Sequence, residues 1–180
     1  MNLASNWGAT ADEVARAYPC DAVIVPFDEA LYRAVSVRAS RPQVFRWLCQ
    51  LRSAPYSYDW IDNWGRQSPP YLTPGLDDLT VGQRVMSIFE LVSFERDVHL
   101  TLRIADAGAR QVFGDVAVTY GVYPDASSAD ATRLVVKLTA CYPASPIGYA
   151  TRWILPWGDL VMMRRQLLNL KGLAERDAPA

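Results

Sequence analysis

The spacing of apolar and polar residues changes along the chain, and each change predicts a new element. Residues 31–39 alternate between apolar and polar positions and include the β-branched Val35 and Val37, a pattern that is typical of a β-strand. Ser40 and Gln43 then form a capping-box pair, and the apolar residues that follow recur at the spacing of one helical face. These apolar residues are Val44, Trp47, Leu48 and Leu51. The sequence therefore predicts a strand that is followed at once by a helix.

A period of two dominates between residues 81 and 142, in strand-like runs separated by short polar or glycine-containing breaks. Because runs joined by short connections pair with each other, we predict an antiparallel meander. The breaks at 103–113 and 122–134 are rich in Asp, Gly, Ala and Ser. We interpret both breaks as hairpin connections without a functional role.

The longest helical pattern covers residues 157–176, where apolar residues repeat at alternating three- and four-residue steps. They form one stripe, which consists of Leu160, Met163, Leu167, Leu170 and Ala174. Because a helix with one apolar stripe buries that stripe against another element, we expect this helix to lie across the sheet.

The organisation of the chain indicates one domain that covers residues 1–180. No internal repeat or Gly/Ser-rich linker divides the sequence. Residues 1–30 are predicted to form an N-terminal extension that packs on the rest of the domain. Within it, Thr10 and Glu13 form a capping-box pair for a short helix, which Pro19 ends.

The segment directly after the first predicted helix, residues 54–65, is dense in aromatic residues. Its rings are Tyr56, Tyr58, Trp60 and Trp64, and Pro55, Asp59 and Asn63 interrupt them. Rings with this spacing cannot form a uniform face of one helix or strand, so we expect an aromatic connection beside the hydrophobic interior. Such a connection suits an apolar ligand, and we predict that Tyr56 to Trp64 lie at the wall or rim of a cavity.

Composition narrows the possible partners. The chain has 180 residues, of which 51% are hydrophobic, and a formal charge of −1 from 18 basic and 19 acidic residues. This balance provides no attraction to a nucleic-acid backbone, so we expect no nucleic-acid partner. No segment reaches the roughly 18 uninterrupted apolar residues typical of a membrane span, and the N-terminus lacks the pattern of a signal peptide. We therefore expect a cytoplasmic protein without an integral membrane segment.

Candidate catalytic chemistry is sparse. His99 is the one histidine of the chain, which excludes multi-histidine metal sites. On a strand it shares a face with Thr101 and Arg103, and this row lies either on the outer polar face or in a cavity, where it would orient a ligand's oxygens. Neither a GxSxG motif nor a glycine-rich phosphate loop is present. We expect no cofactor and no metal, and we expect Cys20, Cys49 and Cys141, which lack a CxxC spacing, to be reduced and mostly buried.

Three stretches of the chain resemble one known superfamily. They are WGATADEVARAYPCD at 7–21, VSVRASRPQVFRWLCQL running into APYSYDWIDN at 35–63, and WGDLVMMRRQLLNLKGLAER at 157–176. Together with the order of the predicted elements, they resemble a bacterial branch of the START-like, polyketide cyclase/dehydrase (SRPBCC) superfamily. The resemblance implies an α+β helix-grip fold, in which a curved antiparallel β-sheet wraps around a long C-terminal α-helix and encloses a cavity.

The same resemblance leaves several functions open, because a fold does not imply a function. The first hypothesis is non-catalytic binding of a small, largely apolar ligand, such as a lipid, a polyketide or an aromatic metabolite. One alternative is a polyketide cyclase/dehydratase-like enzyme in which His99 transfers a proton, and another is a structural domain whose cavity is filled by its own side chains. The expected ligand-binding residues are Tyr56, Tyr58, Trp60, Trp64, His99, Arg103, Tyr120, Trp153 and Met163.

Overall fold

A seven-stranded sheet is the largest element of the computed structural model, which describes residues 2–62, 65–126, 128 and 130–178. The strands are β1 (Asn6–Trp7), β2 (Glu29–Val37), β3 (Arg84–Val85), β4 (Phe89–Glu95), β5 (His99–Ile104), β6 (Asp115–Pro124) and β7 (Thr132–Cys141). They lie in the order β1-β2-β7-β6-β5-β4-β3. The meander from β3 to β7 is antiparallel as predicted, whereas the short edge strand β1 pairs parallel to β2.

A capping side chain precedes most of the α-helices among the described residues. They are α1 (Ala11–Ala15), α2 (Arg41–Cys49), α3 (Asp59–Asp62), α4 (Ala107–Phe113) and α5 (Pro146–Arg176). The capping box of α1 is confirmed, because the Glu13 amide donates to the Thr10 hydroxyl and the Thr10 amide donates to the Glu13 carboxylate. At α2, the Gln43 amide donates to the Ser40 hydroxyl.

Helix α5 is longer than its sequence pattern predicts. It begins at Pro146, behind a Ser145 side chain that accepts a hydrogen bond from the Gly148 amide, and it continues through Pro156. Pro156 removes one backbone hydrogen bond, but its fixed φ angle is compatible with a helix. The predicted stripe of α5 is confirmed, because Leu160, Leu167, Leu170 and Ala174 are buried and Met163 packs against the core. No helix among the described residues combines the length and hydropathy that crossing a bilayer requires.

The inner face of the sheet carries the main core. Helices α2 and α5 pack against it, and the predicted face of α2, with Val44, Trp47 and Leu48, is fully buried. The outer face is covered in part by the N-terminal segment, whose Tyr18, Cys20 and Ile24 pack on Tyr32 and Ala34 of β2.

The connection between β5 and β6 differs from the hairpin connection that the sequence predicts. It contains α4, whose first turn is capped by the Asp106 side chain, and it ends at Gly114. Gly114 has a φ of +81°, and a Cβ there would lie 2.1 Å from the Cys141 carbonyl oxygen. Glycine is therefore required where the chain turns from α4 into β6.

Candidate ligand-binding cavity

A cavity of about 660 Å³ lies between the inner face of the sheet and residues 147–166 of α5. The sheet contributes side chains from β4 to β7, namely Phe89, Ile104, Val116, Val118, Tyr120 and Leu138. Helix α5 contributes the opposite wall, with Ile147, Ile154, Leu155, Met162 and Met163 among its residues. The protein's own side chains leave this space open, in contrast to the filled cavity of the third hypothesis.

Several of the apolar side chains that line the cavity are also exposed on the surface. They come from three helices, with Ile61 on α3, Val112 and Phe113 on α4, and Ile147 and Ile154 on α5. The connection between β5 and β6 therefore supplies part of the cavity wall through α4. The sequence had indicated no functional role for it.

Most polar side chains in the wall already have partners within the protein. The Tyr120 hydroxyl donates to Oε1 of Gln166 at 2.8 Å, and Nε2 of Gln166 donates to the Pro55 carbonyl at 2.6 Å. The Thr151 hydroxyl donates to the Val112 carbonyl at 2.8 Å. Burial raises the pKa of Tyr120, so its hydroxyl stays neutral.

Asp159 places a carboxyl group in this apolar wall. Its Oδ2 lies 2.8 Å from Nη2 of Arg33 on β2, and the two side chains are 8% and 1% exposed. Nη2 of Arg33 also donates to the carbonyls of Ala4 and Pro156, at 2.7 and 3.2 Å. Burial raises the pKa of Asp159 to about 6, although the Arg33 guanidinium acts in the opposite direction.

Two of the predicted ligand-binding residues, Tyr120 and Met163, line the cavity. Tyr56 is buried elsewhere: its ring packs edge-on against Trp47, with the centroids 6.0 Å apart, and its hydroxyl donates to the Pro69 carbonyl. It belongs to a second, smaller groove of about 350 Å³. The Tyr58 ring lies 5.9 Å from the Arg165 guanidinium and does not line the cavity.

The predicted tryptophans lie near the cavity without lining it. Trp60 is 76% exposed and Trp153 is 81% exposed, and each precedes an isoleucine, Ile61 or Ile154, that does line the cavity. Trp64 lies outside the described residues. The aromatic connection thus reaches the cavity through Pro55, Ser57 and Ile61 instead of through its aromatic rings.

His99 and Arg103 lie on the outer face of the sheet. Leu100, Leu102 and Ile104, which alternate with them on β5, belong to the inner core. Arg103 pairs with Asp115, with 3.0 Å between its Nε and Oδ1, and burial lowers the pKa of His99. The structure therefore selects the outer-face interpretation of this row, and the prediction that these two side chains face a cavity is wrong.

Sequence reasoning missed Asp159. Residues 159, 163 and 166 stand at i, i+4 and i+7, so Asp159 and Gln166 share a helical face with Met163. This spacing was the available signal. The partnership with Arg33 left no comparable signal, because it depends on how β2 packs against α5.

The described residues contain no cluster of three or more His, Cys, Asp or Glu side chains that could hold a metal ion. The described residues of the cavity wall provide one carboxyl group, that of Asp159, and a large apolar surface.

Comparison with known proteins finds similarity in structure. No model of a known protein family and no curated protein sequence matches the chain. Among solved structures, Ara h 8.0201 is similar with a TM-score of 0.52 and 10% identity, over 83% of this chain and 99% of that one. Protein MLL2253 from Mesorhizobium loti has a TM-score of 0.50 and 13% identity, over 84% and 100% of the two chains. The Zhui aromatase/cyclase from Streptomyces sp. R1128 has a TM-score of 0.48 and 16% identity, over 84% and 96%.

At these identities the likeness concerns the fold. The shared architecture is the curved sheet that wraps around a long C-terminal helix, here α5. The expectation of a helix-grip fold, drawn from the sequence, is confirmed at that level.

Proposed function

We propose that the protein binds a small, largely apolar ligand in the cavity between the sheet and α5. The observation that carries the proposal is the cavity itself, about 660 Å³ in volume with walls of aliphatic, aromatic and methionine side chains. Small-molecule sites typically measure about 300–1,000 Å³ and are lined mainly by apolar groups with a few polar ones.

The chemistry of the wall supports an apolar occupant. Tyr120, Gln166 and Thr151 donate their hydrogen bonds within the protein, so these donors are already in use. Water is held poorly in a site with few free polar partners. An apolar molecule would gain the contacts that water lacks there, and the methionines Met162 and Met163 can adapt to its shape.

Gly158 provides a direct test, because it lines the cavity and a Cβ built on it meets no atom within 4 Å. We expect Gly158→Phe to fill part of the cavity without breaking α5. Gly172 is the matched control, since it also lies in α5 with open space around a Cβ but borders the smaller groove.

The experiment has two readouts. Native mass spectrometry of purified protein, followed by solvent extraction, identifies any retained molecule, and binding of the neutral dye N-phenyl-1-naphthylamine measures the cavity in its absence. We expect Gly158→Phe to weaken dye binding at least tenfold, while Gly172→Phe binds like the wild type. Equal dye binding by wild type and Gly158→Phe would refute the proposal.

A proton-transfer enzyme of the cyclase/dehydratase type is a second candidate, and the position of Asp159 favours it. A carboxyl group with a pKa of about 6 in an apolar cavity can give or take a proton near neutral pH. Conversion of an extracted ligand by the wild type, lowered about 10²–10⁴-fold in Asp159→Asn and unchanged in His99→Gln, would support this candidate. His99 serves as the control because it lies on the outer face of the sheet.

A further inference from the structure

Asp159 is the charged side chain of the cavity wall within the described residues. We propose that the cavity selects ligands with a hydrogen-bond donor, a hydroxyl or an ammonium group on an apolar body, and that the Asp159 carboxylate accepts this hydrogen bond. The inference rests on the proposed function and adds the chemical class of the ligand.

Of the two paired charges, the carboxylate lies nearer to the cavity. Asp159 lines it, whereas Arg33 does not and is 1% exposed. The guanidinium is held by backbone groups, because Nη1 donates to the Tyr32 carbonyl and Nη2 donates to the carbonyls of Ala4 and Pro156. A ligand in the cavity therefore meets the carboxylate, with the positive charge behind it.

The Asp159 carboxylate has hydrogen-bonding capacity that the protein leaves unused. Oδ2 is buried and forms an ion pair with Arg33 at 2.8 Å, whereas Oδ1 accepts no hydrogen bond from the described residues. An ionised carboxylate offers about four acceptor sites. A ligand donor would satisfy one of them, and burying a polar group with a partner avoids the cost of leaving it unpaired.

The charge of Asp159 disfavours anionic ligands in the cavity. A carboxylic acid ligand would bring a second negative charge next to Asp159, in an apolar site where charges interact strongly. The donors of Tyr120, Gln166 and Thr151 are already engaged within the protein and do not compensate for this repulsion. We therefore expect the cavity to discriminate against fatty acids relative to alcohols and amines of the same length.

Three ligands of equal chain length test this selectivity: decan-1-ol, decylammonium and decanoate, each below its aggregation limit. They compete with N-phenyl-1-naphthylamine at pH 7.5, where Asp159 is ionised because its pKa is about 6. We expect decanol or decylammonium to displace the dye from the wild type at a concentration at least tenfold lower than decanoate does. Equal or better displacement by decanoate would overturn the inference.

Asp159→Asn provides the second arm. We expect this variant to bring decanoate within threefold of decanol and to weaken decylammonium at least tenfold. Asp12→Asn is the matched control, because it removes the same charge from an exposed position on α1 and should retain wild-type selectivity. Unchanged selectivity in Asp159→Asn would overturn the inference.

Different results would contradict ligand binding in the cavity and the role of Asp159. If the dye does not bind, or if Gly158→Phe binds it like the wild type, the proposed function fails. If the dye binds and Gly158→Phe blocks it while the three ligands compete equally, the cavity stands and the role of Asp159 fails. The wild-type ligand series decides this even if Asp159→Asn does not fold.

Discussion

Tyr120 on β6 and Gln166 on α5 share a 2.8 Å hydrogen bond that joins the inner face of the sheet to the long helix. Gln166 continues the link by donating to the Pro55 carbonyl at 2.6 Å, in the connection that follows α2. Both side chains are buried in the cavity wall, so this bond fixes three parts of the chain around the candidate site.

Removing the Tyr120 hydroxyl should destabilise the fold. Tyr120→Phe leaves Oε1 of the buried Gln166 without its donor, and an unsatisfied buried group costs about 1–3 kcal/mol. The free energy of unfolding in urea measures this loss. Tyr149→Phe is the control, because Tyr149 is exposed on α5 and its substitution should change stability by less than about 0.5 kcal/mol. Equal stability of the two variants would show that the hydrogen bond contributes nothing.

The apolar stripe of α5 predicts a contrast between neighbouring leucines. Leu167 is fully buried in the core, so Leu167→Ala should lower the free energy of unfolding by about 2–5 kcal/mol. Leu168 is the next residue on the same helix and is partly exposed, so Leu168→Ala should cost less than half as much. Chemical denaturation of both variants measures the difference. A denaturation midpoint that does not change in Leu167→Ala would contradict the packing of α5 on the sheet.

Asp159 predicts a pH dependence of stability. Its pKa is 3.8 in the unfolded reference and about 6 in the folded protein, so between these values the folded state keeps a proton that the unfolded state releases. Protonated Asp159 is therefore compatible with the fold below pH 3.8, and its ionisation lowers the free energy of unfolding as the pH rises through 6.

The difference in unfolding free energy between wild type and Asp159→Asn isolates this contribution. Asp115, whose pKa is lowered by its hydrogen bond from Arg103, acts in the opposite sense but is present in both proteins. We expect the unfolding free energy of the wild type, relative to that of Asp159→Asn, to fall by about 1–3 kcal/mol between pH 4 and pH 7. Thermal or urea unfolding across that range checks it, and a flat or rising difference would argue against a raised pKa.

The three cysteines should react unequally with a thiol reagent. Cys20 and Cys49 are buried and Cys141 is partly buried, and burial raises the pKa of all three thiols. Reaction with Ellman's reagent at pH 8 should modify Cys141 slowly in the native protein, and all 3 cysteines in denaturant. Cys141→Ser should abolish the native reaction. Rapid modification of the native Cys141→Ser variant would show that Cys20 or Cys49 is accessible.

The cavity wall combines residues that the sequence indicated and residues that it did not. Tyr120 and Met163 were predicted ligand contacts and lie in the wall, while Asp159 and the α4 residues Val112 and Phe113 were not predicted. The break that contains α4 has a glycine and little helical periodicity. Its turn-forming residues therefore predicted a hairpin connection where the structure has a helix.

Local patterns determined much of the fold. The caps at Thr10 and Ser40, the alternation in β2 and the stripe of α5 depend on interactions between residues a few positions apart, which the sequence displays directly. The resulting order of elements identified the helix-grip fold.

Tertiary structure decided what faces the cavity. Alternation on β5 separates His99 and Arg103 from Leu100 and Leu102, but it does not say which set meets α5. The pairing of Arg33 with Asp159 likewise depends on β2 and α5 packing together, across a long separation in sequence. Local periodicity fixes which residues share a face, whereas the direction of each face is set by the burial of the whole chain.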